Sequence, residues 1–250
     1  MRAVSRQRST RGERWTIRAS VMRSEPPARC CACAARDVAL CAGLDEDALA
    51  TLHRIGRRRV LAAGQALGWA GEPATICANL VSGVLKVART EADGRVQIVG
   101  LLYPGDFVGQ LFADDFADTI GALSDADLCV YPRLALEEAV QRHPGVRRLL
   151  LRRTLTTVSE ARHWMPMLAR ARAEARVAAL LIDMARRCDA DAQGTFALPL
   201  SRGAMAEALG LAIETVSRHM TAFQARGLIT LVGLRGVRML DAVGLAAVAG

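Results

Sequence analysis

The stretch from Ser201 to Ile229 constrains the fold of this chain more than any other. Its apolar residues recur at three- and four-residue intervals on both sides of Gly210, which is the spacing of two amphipathic helices joined by a tight turn. These apolar positions are Ala204, Met205, Ala208, Leu209, Ile213, Val216, Met220 and Phe223. The pattern predicts either a helix-turn-helix, whose second helix enters the major groove of DNA, or an ordinary helical hairpin with a solvated polar face.

A second pattern follows the two predicted helices. Leu228 to Leu240 carries two glycines, Gly233 and Gly236, among β-prone residues, and this pattern predicts a β-hairpin. The net charge of the chain adds no support. The formal charge is +8, but the nine arginines and two glutamates of residues 1–36 contribute +7, which leaves +1 for the remainder. The prediction of DNA binding therefore depends on the motif.

Length and composition indicate a globular protein with room for two modest domains. The chain has 250 residues, of which 52% are hydrophobic and 23% charged, and Lys86 is its only lysine. No apolar run approaches the roughly 20 residues that span a bilayer, so we expect no membrane association. Seven cysteines without a secretory signal favour metal-binding or redox groups in a reducing cytoplasm over disulfides. The four histidines show no catalytic spacing, so we expect no enzyme.

Four regions follow from the pattern along the chain. Residues 1–29 are expected to form a disordered basic arm, which translation from Met22 would largely omit. Residues 30–133 hold most of the cysteines and short β-prone runs with glycine turns about every ten residues, which predicts an antiparallel sandwich or roll. Residues 134–170 read as a helical region, and residues 171–250 read as the DNA-binding domain.

The longest helical signal runs from about Gly145 to Leu168. Its seam residues fall at alternating three- and four-residue steps: Leu151, Thr154, Val158, Ala161, Met165 and Leu168. Such a seam either pairs two copies of the chain or packs within one copy. Pro166 lies inside the signal and is expected to kink or weaken the last turn. Shorter helices are predicted over residues 134–142 and 173–187.

Three cysteines lie close together near the start of the ordered region. Cys30, Cys33 and Cys41 are separated by two and then seven residues, and Cys31 is an extra neighbour. A four-thiolate metal site needs a fourth cysteine, and the spacing alone does not choose among the candidates, which are Cys77, Cys129 and Cys188. Zinc is one candidate metal, although structural zinc sites usually show two paired-cysteine knuckles and only one exists here.

Several of these motifs resemble the Crp/Fnr family of bacterial transcription regulators. The run from Glu214 to Arg218 closely matches the recognition helix of that family, and the 228–240 hairpin is similar to its wing. Gly83 before a β-prone run and the Pro-Gly-Asp turn at 104–106 resemble its sensor domain. The resemblance implies an α+β protein with an N-terminal double-stranded β-helix (jelly roll), a long dimerisation helix and a C-terminal winged helix-turn-helix.

The cysteine spacing resembles the Fnr-type oxygen sensors, and within them the FnrL/FixK-like branch. The resemblance implies a 4Fe–4S cluster held by Cys30, Cys33, Cys41 and Cys129, since Cys129 is followed two residues later by Pro132, as in that group. Cys31 could replace Cys30, and zinc is the alternative cofactor. Cys77 and Cys188 are then expected to be small buried residues. The resemblance further implies an activator whose cluster promotes dimerisation and DNA binding while oxygen is low.

For DNA, the resemblance implies a homodimer that binds a palindrome of the TTGAT…ATCAA type on double-stranded DNA and acts on RNA polymerase. The residues implied to contact DNA are Glu214, Thr215, Ser217, Arg218 and Arg202. Arg218 suits a bidentate contact to guanine, and Glu214 can accept a hydrogen bond from cytosine. The residues implied at the dimer interface are Leu151, Val158, Ala161, Met165 and Leu168.

The sequence departs from the family pattern at several positions. Ala212 stands where the family commonly has a capping Thr, and Pro166 where it usually has an aliphatic residue. Ala161 stands where Fnr-type sensors can carry an acid in the dimer seam. We therefore expect the cluster-free protein to dimerise more tightly than a strict on/off sensor does. A cyclic nucleotide is not expected to bind, because the segment from Gly109 to Thr119 contains no Arg to hold a phosphate.

Overall fold

The computed structural model describes residue 30 and residues 32–169, 172–188 and 190–250. The predicted disordered arm over residues 1–29, the start at Met22 and the exchange of Cys31 for Cys30 concern residues outside this set. In the described part of the chain, no helix is both long enough and apolar enough to cross a membrane.

The N-terminal half is a β-roll of two antiparallel four-stranded sheets. One sheet has the order β1-β8-β3-β6 and the other β2-β7-β4-β5, with the apolar core between them. The strands are β1 (Arg57–Leu61), β2 (Ala66–Gly68), β3 (Ile76–Ser82), β4 (Leu85–Thr90), β5 (Val96–Leu102), β6 (Phe107–Val108), β7 (Thr119–Ala122) and β8 (Ala126–Pro132). This architecture confirms the predicted roll. It forms because alternate residues of each short strand point to one face, which is buried between the sheets.

Three helices are associated with the outer side of the first sheet: α1 (Glu46–Ile55), α2 (Arg133–Arg142) and α3 (Pro144–Ala169). The first turns of α3 pack there with α1 and α2. Asp45 caps α1 by accepting a hydrogen bond from the Ala48 amide at 2.8 Å. A second apolar cluster joins α1, α2, the first turns of α3 and the cysteine-bearing segment 32–44 to the sheet. The helix α3 continues through Pro166, so this proline does not end it.

The C-terminal domain is a winged helix-turn-helix, as predicted. Its elements are α4 (Ala173–Arg187), β9 (Thr195–Ala197), α5 (Arg202–Leu209), α6 (Ile213–Ala225), β10 (Ile229–Val232), β11 (Gly236–Met239) and α7 (Ala242–Ala249). Gly210 ends α5 with a φ of +62°, a left-handed conformation that glycine adopts at little cost. The strands β10, β11 and β9 form the wing sheet, in that order.

The β-roll and the DNA-binding domain share one apolar core. Val84, Ile98 and Tyr103 of the roll are buried in the same cluster as the apolar faces of α4, α5 and α6. Polar contacts cross the same boundary. Lys86 pairs with Glu207 of α5 at 2.9 Å, and the Gln97 side-chain amide donates to the Ala208 carbonyl at 3.4 Å. The two domains are therefore packed together within one chain.

Candidate cysteine site and DNA-binding surface

Four cysteines from two distant parts of the chain line one cavity. Cys30, Cys33 and Cys41 come from the segment before α1, and Cys129 comes from β8. The cavity has a volume of about 400 Å³ and lies between this segment, α1 and the outer face of the first sheet. The structure thus brings together the four residues that the resemblance selected as metal ligands.

The register of the sheet places Cys129 on the face that meets the cavity. In the antiparallel pair β3–β8, Cys129 lies directly opposite Asn79, and on the other side of β8 it lies opposite Arg58 of β1. Directly opposite residues share a face, and so do residues two apart on a strand, which adds Tyr131 to the same surface. Asn79, Arg58 and Tyr131 all line the cavity together with Cys129.

The sulfur atoms have polar neighbours. Cys41 Sγ lies 3.9 Å from the Tyr131 hydroxyl and 4.0 Å from the Asn79 side-chain nitrogen, and Cys30 Sγ lies 3.4 Å from His53 Nδ1. Burial raises the pKa of the Cys41 thiol to about 11, while the Tyr131 hydrogen bond acts in the opposite direction. This thiol is protonated at neutral pH, and metal binding there would release its proton.

The positions of the donors bear on which cofactor they fit. Within the described residues, no three side chains of His, Cys, Asp or Glu are placed so that they could hold a single metal ion. A tetrahedral zinc site needs sulfurs about 3.8 Å apart, given a Zn–S distance of about 2.3 Å, so zinc would require this segment to close up. A 4Fe–4S cluster distributes four thiolates over four irons and suits a wider cavity.

The other two candidate cysteines lie elsewhere. Cys77 is fully buried in β3, where its thiol donates to the Gln110 carbonyl at 3.6 Å, and burial raises its pKa to about 12. Cys188 follows α4 and packs, half-buried, against the core of the DNA-binding domain. Neither residue lines the cavity. Cys77 is the small buried residue that was expected, whereas Cys188 is only half-buried.

Sequence reasoning missed the polar and small residues around the cavity. Asn79 lies within the apolar run of β3, where a polar residue is a signal that could have been noticed. Gly56 follows α1, and a Cβ there would lie 2.9 Å from a Tyr131 ring carbon and 3.1 Å from Cys129 Sγ. His53 on α1 is a further polar neighbour, since its Nδ1 lies 3.4 Å from Cys30 Sγ.

The recognition helix α6 presents its polar face to solvent. Glu214, Ser217 and Arg218 are exposed, and Thr215 is half-buried. Arg202 lies at the start of α5, where it is half-buried with its guanidinium 3.5 Å from the Met205 sulfur. The two helices are locked by a core that includes Met205, Leu209, Val216, Met220 and Phe223. Because the core fixes their crossing, the exposed side chains of α6 are available to base edges.

The start of α6 lacks a side-chain cap. Ala212 occupies the N-cap with an extended backbone, and its methyl group accepts no hydrogen bond from the first turn. Glu214 in that turn offers a negative charge to the positive end of the helix dipole. The helix therefore lacks the side-chain cap that a Thr at position 212 would provide.

The seam residues on α3 form an apolar stripe that is mostly open to solvent in the single chain. Leu151, Val158 and Met165 are 59%, 41% and 65% exposed, and Ala161 is also exposed. Leu168 differs, because it is half-buried against the core of the DNA-binding domain. Packing within one chain accounts for Leu168 but leaves the rest of the stripe available to a partner.

Comparison with known proteins agrees with this architecture. Residues 58–143 match the cyclic nucleotide-binding domain, and residues 175–248 match the Crp-like helix-turn-helix domain. The transcriptional activator protein FnrL of Cereibacter sphaeroides is 41% identical over 219 residues, which are 85% of this chain and 88% of that protein. The nitrogen fixation regulation protein FixK of Bradyrhizobium diazoefficiens is 33% identical over 90% of this chain and 96% of its own length.

A solved structure gives the same result for the fold. FixK2 from Bradyrhizobium japonicum superposes with a TM-score of 0.71 at 28% sequence identity, covering 78% of this chain and 98% of that one. The β-roll, the long helix and the winged helix-turn-helix therefore occur in the same order in both. With the identity to FnrL and FixK, these features establish that the chain belongs to the Crp/Fnr family, a family of transcription regulators and not of enzymes.

Proposed function

We propose that this regulator is an oxygen-responsive transcriptional activator that binds palindromic DNA as a homodimer and acts on RNA polymerase. Cys30, Cys33, Cys41 and Cys129 would hold a 4Fe–4S cluster, and α6 would read a site of the TTGAT…ATCAA type. The observation that carries the proposal is that these four cysteines, from two distant parts of the chain, line one cavity. The FnrL relative is a transcriptional activator protein, which supports the regulatory role.

When bound, a cluster of this kind would supply a redox-active group that oxygen degrades. The contribution of the chain is to connect the site to the dimer seam. Leu149 and Leu150, in the second turn of α3, pack in the same apolar cluster as Leu40, Cys41 and Cys129. Tethering the segment 32–44 to β8 through Cys41 and Cys129 would hold these apolar side chains together. It would thereby fix the start of α3.

The exposed stripe on α3 would then pair with its copy. Docking two such stripes removes apolar surface from water, which favours the dimer. A two-fold dimer places its recognition helices in successive major grooves, about 34–36 Å apart. Glu214, Ser217 and Arg218 are exposed on the face of α6 that would meet the bases. Loosening of the segment 32–44 would weaken the dimer and hence DNA binding.

The test is anaerobic purification, followed by an absorption spectrum with iron and sulfide analysis before and after exposure to air. We expect a broad band at about 400 nm, about four irons per chain, and bleaching in air. Cys129→Ser should abolish the band. Cys77→Ser is the matched control, because Cys77 is a buried strand cysteine outside the cavity, and it should keep the band.

A colourless protein that contains stoichiometric zinc would replace the cluster with a structural metal and move the signal elsewhere. A cyclic nucleotide is a weaker candidate, even though the β-roll matches a domain named for that ligand. Arg89 on β4, a cation beside the segment considered for phosphate binding, is already paired with Asp118 at 2.8 Å. Its charge is therefore neutralised within the chain.

A further inference from the structure

Two polar side chains stand between the cysteine-bearing segment and the sheet. Asn79 of β3 and Tyr131 of β8 lie on the sheet face that carries Cys129, and each is only 1% exposed. The Asn79 side-chain nitrogen donates to the Tyr131 hydroxyl at 3.1 Å. Both groups reach the same sulfur, that of Cys41, at 4.0 Å and 3.9 Å. They form the polar contact between the sheet and this cysteine.

Burying this polar pair costs free energy that a purely apolar contact would avoid. Burial of an amide costs free energy unless all its polar atoms find partners, and within the described residues the Asn79 carbonyl oxygen Oδ1 has none. A leucine has nearly the same shape and no such cost. On its apolar side the pair meets a cluster in which Leu40 and Leu52 are fully buried. The amide and the hydroxyl therefore call for a role beyond filling space.

We propose that Asn79 and Tyr131 are positioning residues for Cys41. They hold its sulfur against the sheet, and they donate hydrogen bonds to it when the thiolate ligates the cluster. This inference rests on the proposed function for its second part. Hydrogen bonds to the sulfurs help to set the reduction potential of iron–sulfur clusters, and outer residues of this kind orient the ligands.

The first test uses the full-length, metal-free protein and does not depend on the cluster. Hydrogen exchange of residues 32–44 is measured in the wild type, in Tyr131→Phe and in Asn79→Leu. The control is Tyr103→Phe, the other of the two tyrosines, which is also buried but bonds to Met184 in the other core. We expect exchange several-fold faster in the first two variants and unchanged in the control. Equal rates in all four proteins would overturn the proposal.

The second test uses the anaerobically loaded protein and measures its reduction potential and the rate of bleaching in air. Removing a hydrogen-bond donor from a thiolate leaves more negative charge at the site, so Tyr131→Phe should lower the potential and bleach several-fold faster. Tyr103→Phe should match the wild type. An unchanged potential together with faster exchange would reduce the pair to a structural contact and overturn the hydrogen-bonding role.

The failures of the two proposals can be told apart. If the wild type itself binds no cluster, the proposed function fails, and the exchange experiment alone decides whether the pair positions Cys41. Because Asn79→Leu changes a buried residue, its folding is checked by circular dichroism. Tyr131→Phe removes one hydroxyl only and keeps the test valid if the leucine variant does not fold.

Discussion

At Gly56 the absence of a side chain decides how closely the end of α1 approaches the sheet. Its φ of −74° suits any residue, so the need for glycine is one of space. We expect Gly56→Ala to lower the free energy of unfolding by about 1–3 kcal/mol, because Tyr131 and Cys129 must move. Urea denaturation measures this. Gly100→Ala is the control, since its Cβ would meet Val87 at an ordinary 3.7 Å, and an equal loss there would contradict the explanation.

Ala212 gives a prediction of the opposite sign. Its extended backbone is that of an N-cap without a capping side chain. Ala212→Thr should therefore raise the free energy of unfolding by about 0.5–2 kcal/mol through a hydroxyl that accepts from the first turn of α6. Ala212→Val, which has the same shape without the hydroxyl, should not stabilise the protein. A gain shared by both variants would point to packing instead of capping.

Sequence reasoning at the residue scale succeeded where the chemistry is local. The left-handed turn at Gly210 depends on neighbours within four residues, and it ends the helix as predicted. The polar pair around Cys41 was missed, because Asn79 and Tyr131 are 38 and 90 positions away from it. Local spacing likewise found three clustered cysteines, but the choice of Cys129 needed the family resemblance.

Among the elements, α6 carries the prediction on DNA. Arg218→Ala should weaken binding to the proposed palindrome by about 1–3 kcal/mol and relax discrimination at one base position. Competition binding against single-base variants of the site measures both effects. Arg226→Ala is a suitable control, because Arg226 ends the same helix and pairs with Glu174. If both substitutions reduced affinity equally for every sequence, Arg218 would be a phosphate contact.

The helix α3 carries the prediction on assembly. Ala161 adds no charge to the exposed stripe, and the neighbouring Glu160 pairs with Arg187 of α4 at 3.3 Å. We therefore expect the cluster-free protein to dimerise at micromolar concentration, and Ala161→Asp to dissociate it by like-charge repulsion across the seam. Sedimentation velocity measures this. A wild type that is monomeric without the cluster would contradict the prediction.

At this scale, helical periodicity predicted α2, α3 and α4 to within about two residues at each end, because each helix forms from its own sequence. It could not predict which strands pair, since the order β1-β8-β3-β6 joins residues far apart in the chain. Helical periodicity also could not predict that the α3 stripe is exposed. A period of three and four fits a core and an interface equally well, and only Leu168 turned out to pack within the chain.

On the scale of the whole molecule, the shared core should couple the stability of the two domains. Ile98 lies in the β-roll but is buried with the apolar faces of α4 and α5. Ile98→Ala, which should cost about 2–5 kcal/mol, is expected to speed amide exchange in those helices. Ile120→Ala is the matched control, because Ile120 is equally buried but lies between the two sheets. Identical exchange profiles for the two variants would contradict this coupling.

The ion pair at the same boundary has a practical consequence. Lys86 is the only lysine of the chain, and it pairs with Glu207 on α5 at 2.9 Å. Apart from the α-amino group, an amine-reactive dye applied above neutral pH would therefore attach only at Lys86. This residue lies where the β-roll meets the DNA-binding domain. Because the chain uses arginine in place of lysine almost everywhere, one dye reports on the separation of the two domains. No engineered cysteine is needed, so none competes with the thiols that we propose as metal ligands.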